Sequence, residues 1–252
     1  MSSPPSPEAG RTVGPSGVPV LLGVEEGYKR WAPSYDRALN PVVAREERYV
    51  ESLFLNVRGK KVLDLACGTG RWLERLLGGG ARCGAGVDVS SAMLRIADTK
   101  SSVRGKLVRS DCLDLPFTSS VFDFGICSFA IGHIRDLPRM GREFARVMKP
   151  GGEVLVSDLH PEAYARGWRT GFRDDRSAVQ IEARGRVPEE IVGVFQAEGF
   201  ECLAQVSLCL GEAERHIFVA ANKEHEFEES CRVPAIIVHR FKRGLTANRE
   251  LS

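Results

Sequence analysis

Two glycines and two aspartates between residues 64 and 88 have the types and the spacing of a nucleotide-type cofactor site. Gly68 and Gly70 follow a short apolar run that contains Asp64. Glycines allow a tight turn and let a ligand approach the main chain closely, and a helix that begins at such a turn points free N–H groups at the ligand. Asp88 lies about twenty residues beyond the glycines, where an acid can hold a ribose diol. The four residues therefore predict a cofactor that carries a ribose.

Two cofactors fit this arrangement, a nicotinamide dinucleotide and S-adenosylmethionine. The dinucleotide fingerprint has a small residue three positions after its second glycine, but this chain has Leu73 there. Asp64 precedes the turn, where its carboxylate can accept a hydrogen bond from an amino group. The methionyl ammonium supplies such a group and a dinucleotide does not. The residues therefore favour S-adenosylmethionine.

The elements that must position these residues alternate between strands and helices. Short apolar runs bounded by glycine or polar residues predict strands over residues 61–65, 83–89, 106–109, 121–128 and 153–158. Helical patterns lie between them, and Asp136 is expected to cap the helix before the fifth strand. This alternation is typical of a parallel sheet covered on both faces, with its ligand beyond the carboxyl ends of the strands.

The glycine turn and several later segments resemble, in the same order, the motifs of the class I S-adenosylmethionine-dependent methyltransferases. Residues 62–70 resemble motif I, residues 86–94 the ribose-binding strand and helix, and residues 110–117 the adenine-binding loop. Residues 122–129 and 147–152 resemble the fourth strand and the turn into the fifth. Motifs in the right order are much more specific than any one of them alone.

The segment of residues 28–36 is similar to the N-terminal segment of the ubiquinone/menaquinone-biosynthesis (type 11) methyltransferase group. The resemblance implies an α/β fold of the Rossmann-like kind. Its doubly wound, seven-stranded sheet is mostly parallel with an antiparallel last strand, and helices cover both faces. The resemblance also implies methyl transfer from S-adenosylmethionine to a small-molecule acceptor, whose nucleophilic atom stays open.

The resemblance implies that eight residues hold the cofactor. Asp64, Gly68 and Gly70 would hold its methionine end, and Asp88 its ribose. Asp111 and Cys112 would contact its adenine. Phe129 would lie near its sulfonium, and Tyr35 in a flap above the cofactor. The alternatives are structural, since a strand-end acid can cap the next helix, a loop acid can stabilise a turn and an aromatic residue can belong to the core.

Two histidines are candidates for a general base that would remove a proton from an acceptor hydroxyl. His133 follows the fourth strand on the side of the methyl transfer, and His160 ends the fifth strand. The alternative for His133 is a hydrogen bond within the scaffold. No metal ligands are predicted.

The motifs define one domain over residues 25–243, flanked by a disordered tail over residues 1–24 and a C-terminal tail over residues 244–252. Residues 25–57 are expected to form a helical flap over the cofactor, hereafter the flap. A helix is expected over residues 211–230, inserted between a sixth strand at 201–210 and a last strand at 235–241. The alternative is a seventh strand at 217–220 followed by a C-terminal helix.

The segment of residues 159–186, hereafter the lid, is longer than a connection requires and is expected to bind the acceptor. Tyr164, Trp168 and Phe172 would form one aromatic stripe if the segment were helical. Arginines lie among them, at positions 166, 169, 173 and 176. This pattern predicts an acceptor with an apolar body and an anionic group. The alternative is that the stripe packs on the sheet and the arginines are solvated.

Composition narrows the function further. The net charge is +2 with acids and bases interspersed, so no nucleic-acid partner is expected. Seven cysteines without a C-x-x-C pair predict reduced thiols and a cytoplasmic setting, and no apolar run predicts a membrane span. A methyltransferase that acts on protein or nucleic acid and a catalytically silent cofactor-binding module are the alternatives.

Overall fold

A seven-stranded sheet forms the centre of the computed structural model, which describes residues 18–53 and 57–245. Numbered in chain order, the strands are β1 (Val20–Leu22), β2 (Lys61–Leu65), β3 (Cys83–Asp88), β4 (Leu107–Arg109), β5 (Phe122–Ser128), β6 (Met148–Leu159), β7 (Gly171–Arg173), β8 (Ala178–Ile181), β9 (Phe200–Cys209) and β10 (Pro234–Arg243). The α-helices are α1 (Val24–Trp31), α2 (Pro41–Glu51), α3 (Arg71–Gly78), α4 (Ser91–Ala97), α5 (Leu137–Val147), α6 (Pro161–Ala165), α7 (Pro188–Ala197), α8 (Arg215–Ala220) and α9 (Phe227–Cys231).

The strand order in the large sheet is β4-β3-β2-β5-β6-β10-β9. β10 runs antiparallel to both of its neighbours, and the pairings from β4 to β6 are parallel. This confirms the predicted doubly wound sheet with an antiparallel last strand. The order reverses between β2 and β5, and a crevice opens there beyond the carboxyl ends of the strands.

Alternation of side chains along β2 anchors the glycine turn to both faces of the sheet. Val62 packs in one apolar cluster with Trp72 of α3, and Leu63 and Leu65 pack in a second cluster with residues of α5. Successive side chains of a strand point to opposite faces, which places the two clusters on opposite sides. All four side chains are buried, so the end of β2 is fixed in position.

Side-chain caps fix where the helices near the crevice begin. The Asn40 side chain accepts a 2.9 Å hydrogen bond from the Val42 amide at the start of α2. Asp136 accepts one of 3.0 Å from the Arg139 amide, which confirms the predicted cap of α5.

The N-terminal segment corrects the predicted tail over residues 1–24. Residues 1–17 lie outside the described part of the chain, but Val20–Leu22 forms β1 and α1 begins at Val24. β1 pairs in parallel with β8, with Val20 opposite Val179, and β8 pairs with β7. The predicted tail is therefore too long. Of the predicted C-terminal tail, residues 246–252 also lie outside the described part.

The lid is not the amphipathic helix that the aromatic spacing predicted. α6 ends at Ala165 because Gly167 adopts a left-handed φ of 88°. The Trp168 amide then donates to the Ala163 carbonyl, which closes a Schellman turn. Trp168 is buried in the same apolar cluster as Val62 and Trp72, whereas Phe172 lies on β7 and stacks on Trp31 of α1, with ring centroids 5.1 Å apart. The predicted stripe is therefore divided between two packing sites.

The predicted insertion before the last strand is confirmed. Short helical turns, among them α8 and α9, connect β9 to β10, and residues 217–220 belong to α8 instead of forming a strand. Among the helices of the described ranges, none is long and apolar enough to cross a membrane.

His239 lies in the middle of β10 with no exposed surface. Neither of its ring nitrogens has a hydrogen-bond partner within the described part of the chain, and its ring stacks on Phe241 with centroids 5.7 Å apart. Burial lowers the pKa of His239 from 6.5 to about 4. The unfolded chain therefore binds one more proton than the native protein between these two pH values, so this histidine destabilises the fold as the pH falls.

We expect that His239→Leu removes this acid sensitivity. The difference in unfolding free energy between the variant and the original chain should grow by up to about 1.4 kcal/mol for each pH unit between about 6.5 and 4. Burial raises the pKa of Asp64 and Asp158, which has the opposite effect on stability, but both carboxyls are common to the two proteins and cancel. Urea titrations across this range measure the difference, and a constant value would contradict the prediction.

Candidate functional site

A cavity of about 610 Å³ opens at the carboxyl ends of β2, β3 and β5, where the strand order reverses. Its volume suits a ligand of nucleoside size. The structure brings eight of the ten predicted site residues to its wall: Tyr35, Asp64, Gly68, Asp88, Asp111, Cys112, Phe129 and His133. Gly70 is buried behind the wall and His160 lies elsewhere.

The turn between β2 and α3 depends on backbone angles that favour glycine. Gly68 and Gly70 have φ angles of 53° and 76°, both in the left-handed region. A Cβ atom at Gly70 would also lie 3.3 Å from the Ala97 Cβ. Gly68 has open space beside it, so its main chain is accessible from the cavity while Gly70 lets α3 pack against α4.

Asp64 anchors the start of α3 from inside β2. Its Oδ2 atom accepts a 2.8 Å hydrogen bond from the Leu73 amide, and its side chain is almost completely buried. Burial raises the pKa of Asp64 to about 7. A cationic group in the cavity would stabilise its ionised form, which is the chemistry expected of a partner for an ammonium group.

Asp88 uses both carboxylate oxygens to fix neighbouring turns. Oδ2 accepts from the Gly68 amide and Oδ1 from the Ser90 amide, each at 2.7 Å. Burial raises the pKa of Asp88. An ionised carboxylate has about four acceptor positions, so two remain available toward the cavity. Ser90, not Asp88, caps the next helix, α4. Asp88 therefore does not have the capping role that was its alternative, and it lines the predicted ribose site.

Asp111 and Cys112 form the wall of the cavity that follows β4. The Asp111 side chain accepts a 2.9 Å hydrogen bond from the Leu113 amide, which stabilises its own turn. Burial raises the pKa of Cys112 to about 12, so this thiol stays protonated at neutral pH. The turn presents both residues to the cavity, which suits contact with the edge of a base.

Two aromatic residues line the cavity from different directions. Phe129 directly follows β5 with a left-handed φ of 50°, and its amide donates a 2.9 Å hydrogen bond to the Ser157 carbonyl. A residue with a side chain is uncommon in this conformation. Tyr35 belongs to the flap, and its ring contacts Trp31 with centroids 4.7 Å apart.

His133 lies in the cavity wall, but both of its ring nitrogens already have partners. Nδ1 lies 2.6 Å from the Glu182 carbonyl oxygen, and Nε2 lies 3.0 Å from the hydroxyl of Tyr28 on α1. Burial lowers the pKa of His133, so the ring is neutral at pH 7. Sequence reasoning named Tyr28 only as part of the flap segment and missed this contact.

His160 is not in the cavity wall. Its side chain caps α6, where Nδ1 accepts a 3.1 Å hydrogen bond from the Glu162 amide. Nε2 lies 3.1 Å from the Ser207 hydroxyl of β9. The geometry therefore assigns His160 to the scaffold, and we do not propose it as a base.

A buried carboxylate behind the cavity escaped sequence reasoning. Glu46 of α2 has no exposed surface, and it accepts hydrogen bonds from Arg71 at 2.8 Å, from Ser128 at 2.6 Å and from Ser157. Burial by itself would lower the pKa of Arg71, but Glu46 raises it overall. The pair joins the flap to the first residue of α3 and to the ends of β5 and β6.

The sequence did carry a signal for this carboxylate. Val42, Glu46 and Val50 follow one another at helical spacing, and all three are buried in α2. A charged residue within the apolar face of a helix needs a partner in the core. The spacing alone could not identify Arg71 as that partner.

We expect that Glu46→Ala destabilises the fold by about 3–5 kcal/mol, because it leaves the buried Arg71 guanidinium without its main counter-ion. Glu47→Ala is the matched control. Glu47 also pairs with Arg71, at 3.0 Å, but its side chain is partly exposed, so its loss should cost about 1 kcal/mol or less. Chemical denaturation measures both values. An equal loss of unfolding free energy in the two variants would contradict the assignment of Glu46 as the main counter-ion of Arg71.

Comparisons with known proteins agree with the fold. A family model for a methyltransferase domain matches residues 62–152. The demethylmenaquinone methyltransferase of Staphylococcus carnosus is 31% identical over 227 residues, which cover 77% of this chain and 91% of that protein. The Bacillus licheniformis protein of the same name is 35% identical over 112 residues, 42% of this chain, so the chain spans about half of that relative (48%).

A solved structure supports the fold alone. The S-adenosylmethionine-dependent methyltransferase from Mesorhizobium loti superposes with a TM-score of 0.62 and 20% identity, and it covers 80% of this chain and 100% of its own. The match to the Staphylococcus carnosus protein extends over nearly all of that relative. The chain therefore belongs to the class I S-adenosylmethionine-dependent methyltransferases, in the menaquinone-type group.

Proposed function

We propose that this methyltransferase transfers a methyl group from S-adenosylmethionine to a neutral, hydroxylated aromatic small molecule of the naphthoquinone class. The observation that carries the proposal is the composition of the cavity. Its wall has two parts of different chemistry, the turn residues Asp64, Gly68 and Asp88 on the one hand and Tyr28, Phe129 and His133 on the other. The first part suits the cofactor and the second suits an aromatic acceptor.

The residues at the turn fit the cofactor by their chemistry. Asp64 is a buried carboxyl that a cation would stabilise, and it would hold the methionyl ammonium. Asp88 has acceptor positions left for the ribose hydroxyls, and the open side of Gly68 allows the main chain to contact the methionine end. Asp111 and Cys112 would contact the adenine edge. Bound there, S-adenosylmethionine supplies a methyl group that its sulfonium already activates.

The chain's own contribution is to align the acceptor and to exclude water. Holding two reactants in line can contribute about 7 kcal/mol or more in the best cases. α1 and the 3-10 turn with Tyr35 lie over the cavity, and the face of Phe129 suits a positively charged neighbour. These aromatic surfaces also suit a flat acceptor, which would pack between them.

The charges of the cavity wall support a neutral acceptor instead of the anionic one that the lid arginines predicted. Arg166, Arg169, Arg173 and Arg176 do not line the cavity. Arg169 stacks over the Tyr164 ring at 3.8 Å. The wall instead carries six acidic and two basic side chains: Glu25, Glu26, Asp64, Asp88, Asp111 and Glu182; Arg71 and Arg135.

The names of the relatives support the class of acceptor. The Staphylococcus carnosus and Bacillus licheniformis proteins are demethylmenaquinone methyltransferases. A quinone ring is electron-poor, so its reduced, hydroxylated form is the better nucleophile toward an activated methyl group. We therefore infer that the acceptor is presented as the quinol.

Asp88→Ala should weaken S-adenosylmethionine binding tenfold or more. The substitution removes the proposed ribose contacts, since a hydrogen bond to a carboxylate is worth about 1.5–3 kcal/mol, and it also frees the Gly68 amide. Asp98→Ala, an exposed change at the end of the next helix, serves as the control and should bind normally. Isothermal titration calorimetry measures both. Unchanged affinity of the Asp88 variant would mean that the ribose is held elsewhere.

The acceptor is tested with S-adenosylmethionine labelled in its methyl group and a short-chain demethylmenaquinone kept reduced by dithionite. We expect label in the quinone extract with the original chain and with Asp98→Ala. With Asp88→Ala the label should fall in proportion to cofactor occupancy. Label that appears only in protein or nucleic acid from a lysate would contradict the small-molecule proposal. Cofactor binding without any transfer would favour a catalytically silent module.

A further inference from the structure

Tyr28 and His133 form a hydrogen-bonded pair whose proton positions the surroundings determine. The Glu182 carbonyl oxygen can only accept a hydrogen bond, so Nδ1 of His133, 2.6 Å away, must carry a hydrogen. In the neutral ring Nε2 is then the acceptor. The Tyr28 hydroxyl, 3.0 Å from Nε2, is therefore the donor. The two rings meet edge-on with centroids 5.4 Å apart.

The small sheet of β1, β8 and β7 holds the carbonyl that fixes this arrangement. Glu182 directly follows β8, and its amide donates a 2.9 Å hydrogen bond to the Leu22 carbonyl of β1. Two residues later the Arg184 amide donates to the Gly132 carbonyl beside the histidine, at 2.8 Å. The Glu182 carbonyl is thus tied to β1 and to the turn that carries His133, so its position does not depend on a ligand.

Both members of the pair are neutral before the reaction, and one hydrogen bond favours the protonated form of the histidine. Burial lowers the pKa of His133 and raises the pKa of Tyr28, so both groups are neutral at pH 7. The titratable groups that face Tyr28 are Tyr35 from the flap, Asp88 from β3 and Asp158 from β6. The Glu182 carbonyl, which accepts from Nδ1–H, would stabilise a positive charge on the imidazole ring.

We propose that Tyr28 and His133 act together as the general base of the reaction, with Tyr28 in contact with the acceptor. The tyrosine oxygen has lone pairs left after it donates to Nε2, and both residues line the cavity. Tyr28 takes the hydroxyl proton of the acceptor while its own proton passes to His133. The inference rests on the proposed function, since it requires an acceptor with a hydroxyl group.

The transfer balances in protons and charge. The acceptor O–H bond breaks, and its electron pair forms the new bond to the methyl carbon, either directly from oxygen or through the ring from a carbon atom, while sulfur keeps the pair of the bond that breaks. If a ring carbon is methylated, its hydrogen then moves to the acceptor oxygen and the ring becomes aromatic again. One proton moves to the Tyr28 oxygen and one moves from it to Nε2. The positive charge that leaves sulfur reappears on the imidazolium, whose Nδ1–H still donates to the Glu182 carbonyl.

The first test is nuclear magnetic resonance of ¹⁵N-histidine-labelled protein with S-adenosylhomocysteine added, which does not depend on turnover. The chain has five histidines, and His133→Asn identifies the signals of His133 by their loss. We expect a protonated Nδ1 and an unprotonated Nε2, and a shift of the Nε2 signal in Tyr28→Phe. A hydrogen on Nε2, or no shift, would overturn the proposal even if the acceptor proved to be different.

The second test compares methyl transfer to the reduced demethylmenaquinone. Tyr28→Phe keeps the ring and should lower kcat a hundredfold or more, with the cofactor dissociation constant within about twofold. Tyr49→Phe, in α2 and outside the cavity wall, is the matched control and should retain full activity. Full activity of Tyr28→Phe would overturn the proposal.

The acidity of the acceptor distinguishes a role of Tyr28 in proton transfer from a merely structural one. Naphthols of decreasing hydroxyl pKa need less help with deprotonation, so the deficit of Tyr28→Phe should shrink along the series. A deficit that stays constant would overturn the proposal. If the original chain methylates none of these compounds, the proposed acceptor fails, and the ¹⁵N spectra decide the proton positions independently.

Discussion

The site depends on two carboxylates that accept hydrogen bonds from the main chain around the glycine turn. Asp64 holds the Leu73 amide from inside β2, and Asp88 holds the Gly68 amide from the end of β3. Together they fix both ends of a turn whose backbone angles only glycine adopts easily. Burial raises the pKa of both carboxyls, so the protein has placed unfavourable charge where a cationic cofactor would compensate it. The same residues thereby build the turn and would give it affinity for a cationic ligand.

The elements over the cavity are joined into one cover by charged and aromatic contacts. Arg30 of α1 forms a two-pronged ion pair with Asp174, between β7 and β8, with distances of 2.5 and 2.8 Å. Trp31 stacks on Phe172 of β7 in the same region. Behind the cavity, Glu46 joins α2 to Arg71. The predicted flap and lid are therefore not separate structural units. α1 of the flap packs with the small sheet, whose strands β7 and β8 belong to the lid, and together they position the Tyr28–His133 pair.

The sequence predicted the features that local residue patterns determine. It missed the features that depend on contacts between residues far apart in the chain. The sheet, the glycine turn, the Asp136 cap and the inserted helices follow from periodicity and caps, which neighbouring residues decide. The helix predicted for the lid was wrong because Gly167, which ends α6, interrupts the aromatic spacing. β1 and the Tyr28–His133 contact could not be predicted, since their partners lie more than 100 residues away. In the site, spacing located Asp64 and Asp88 but could not show that His160 caps a helix instead of facing the cavity.

The central claim is that this cavity is built for S-adenosylmethionine. Its most direct test is a calorimetric titration of the whole chain with S-adenosylhomocysteine and, in parallel, with NAD, which shares the ribose but lacks the ammonium group that Asp64 would hold. The structure predicts saturable one-to-one binding of S-adenosylhomocysteine and no binding of NAD. Binding of NAD without S-adenosylhomocysteine would contradict the assignment of Asp64 and Asp88.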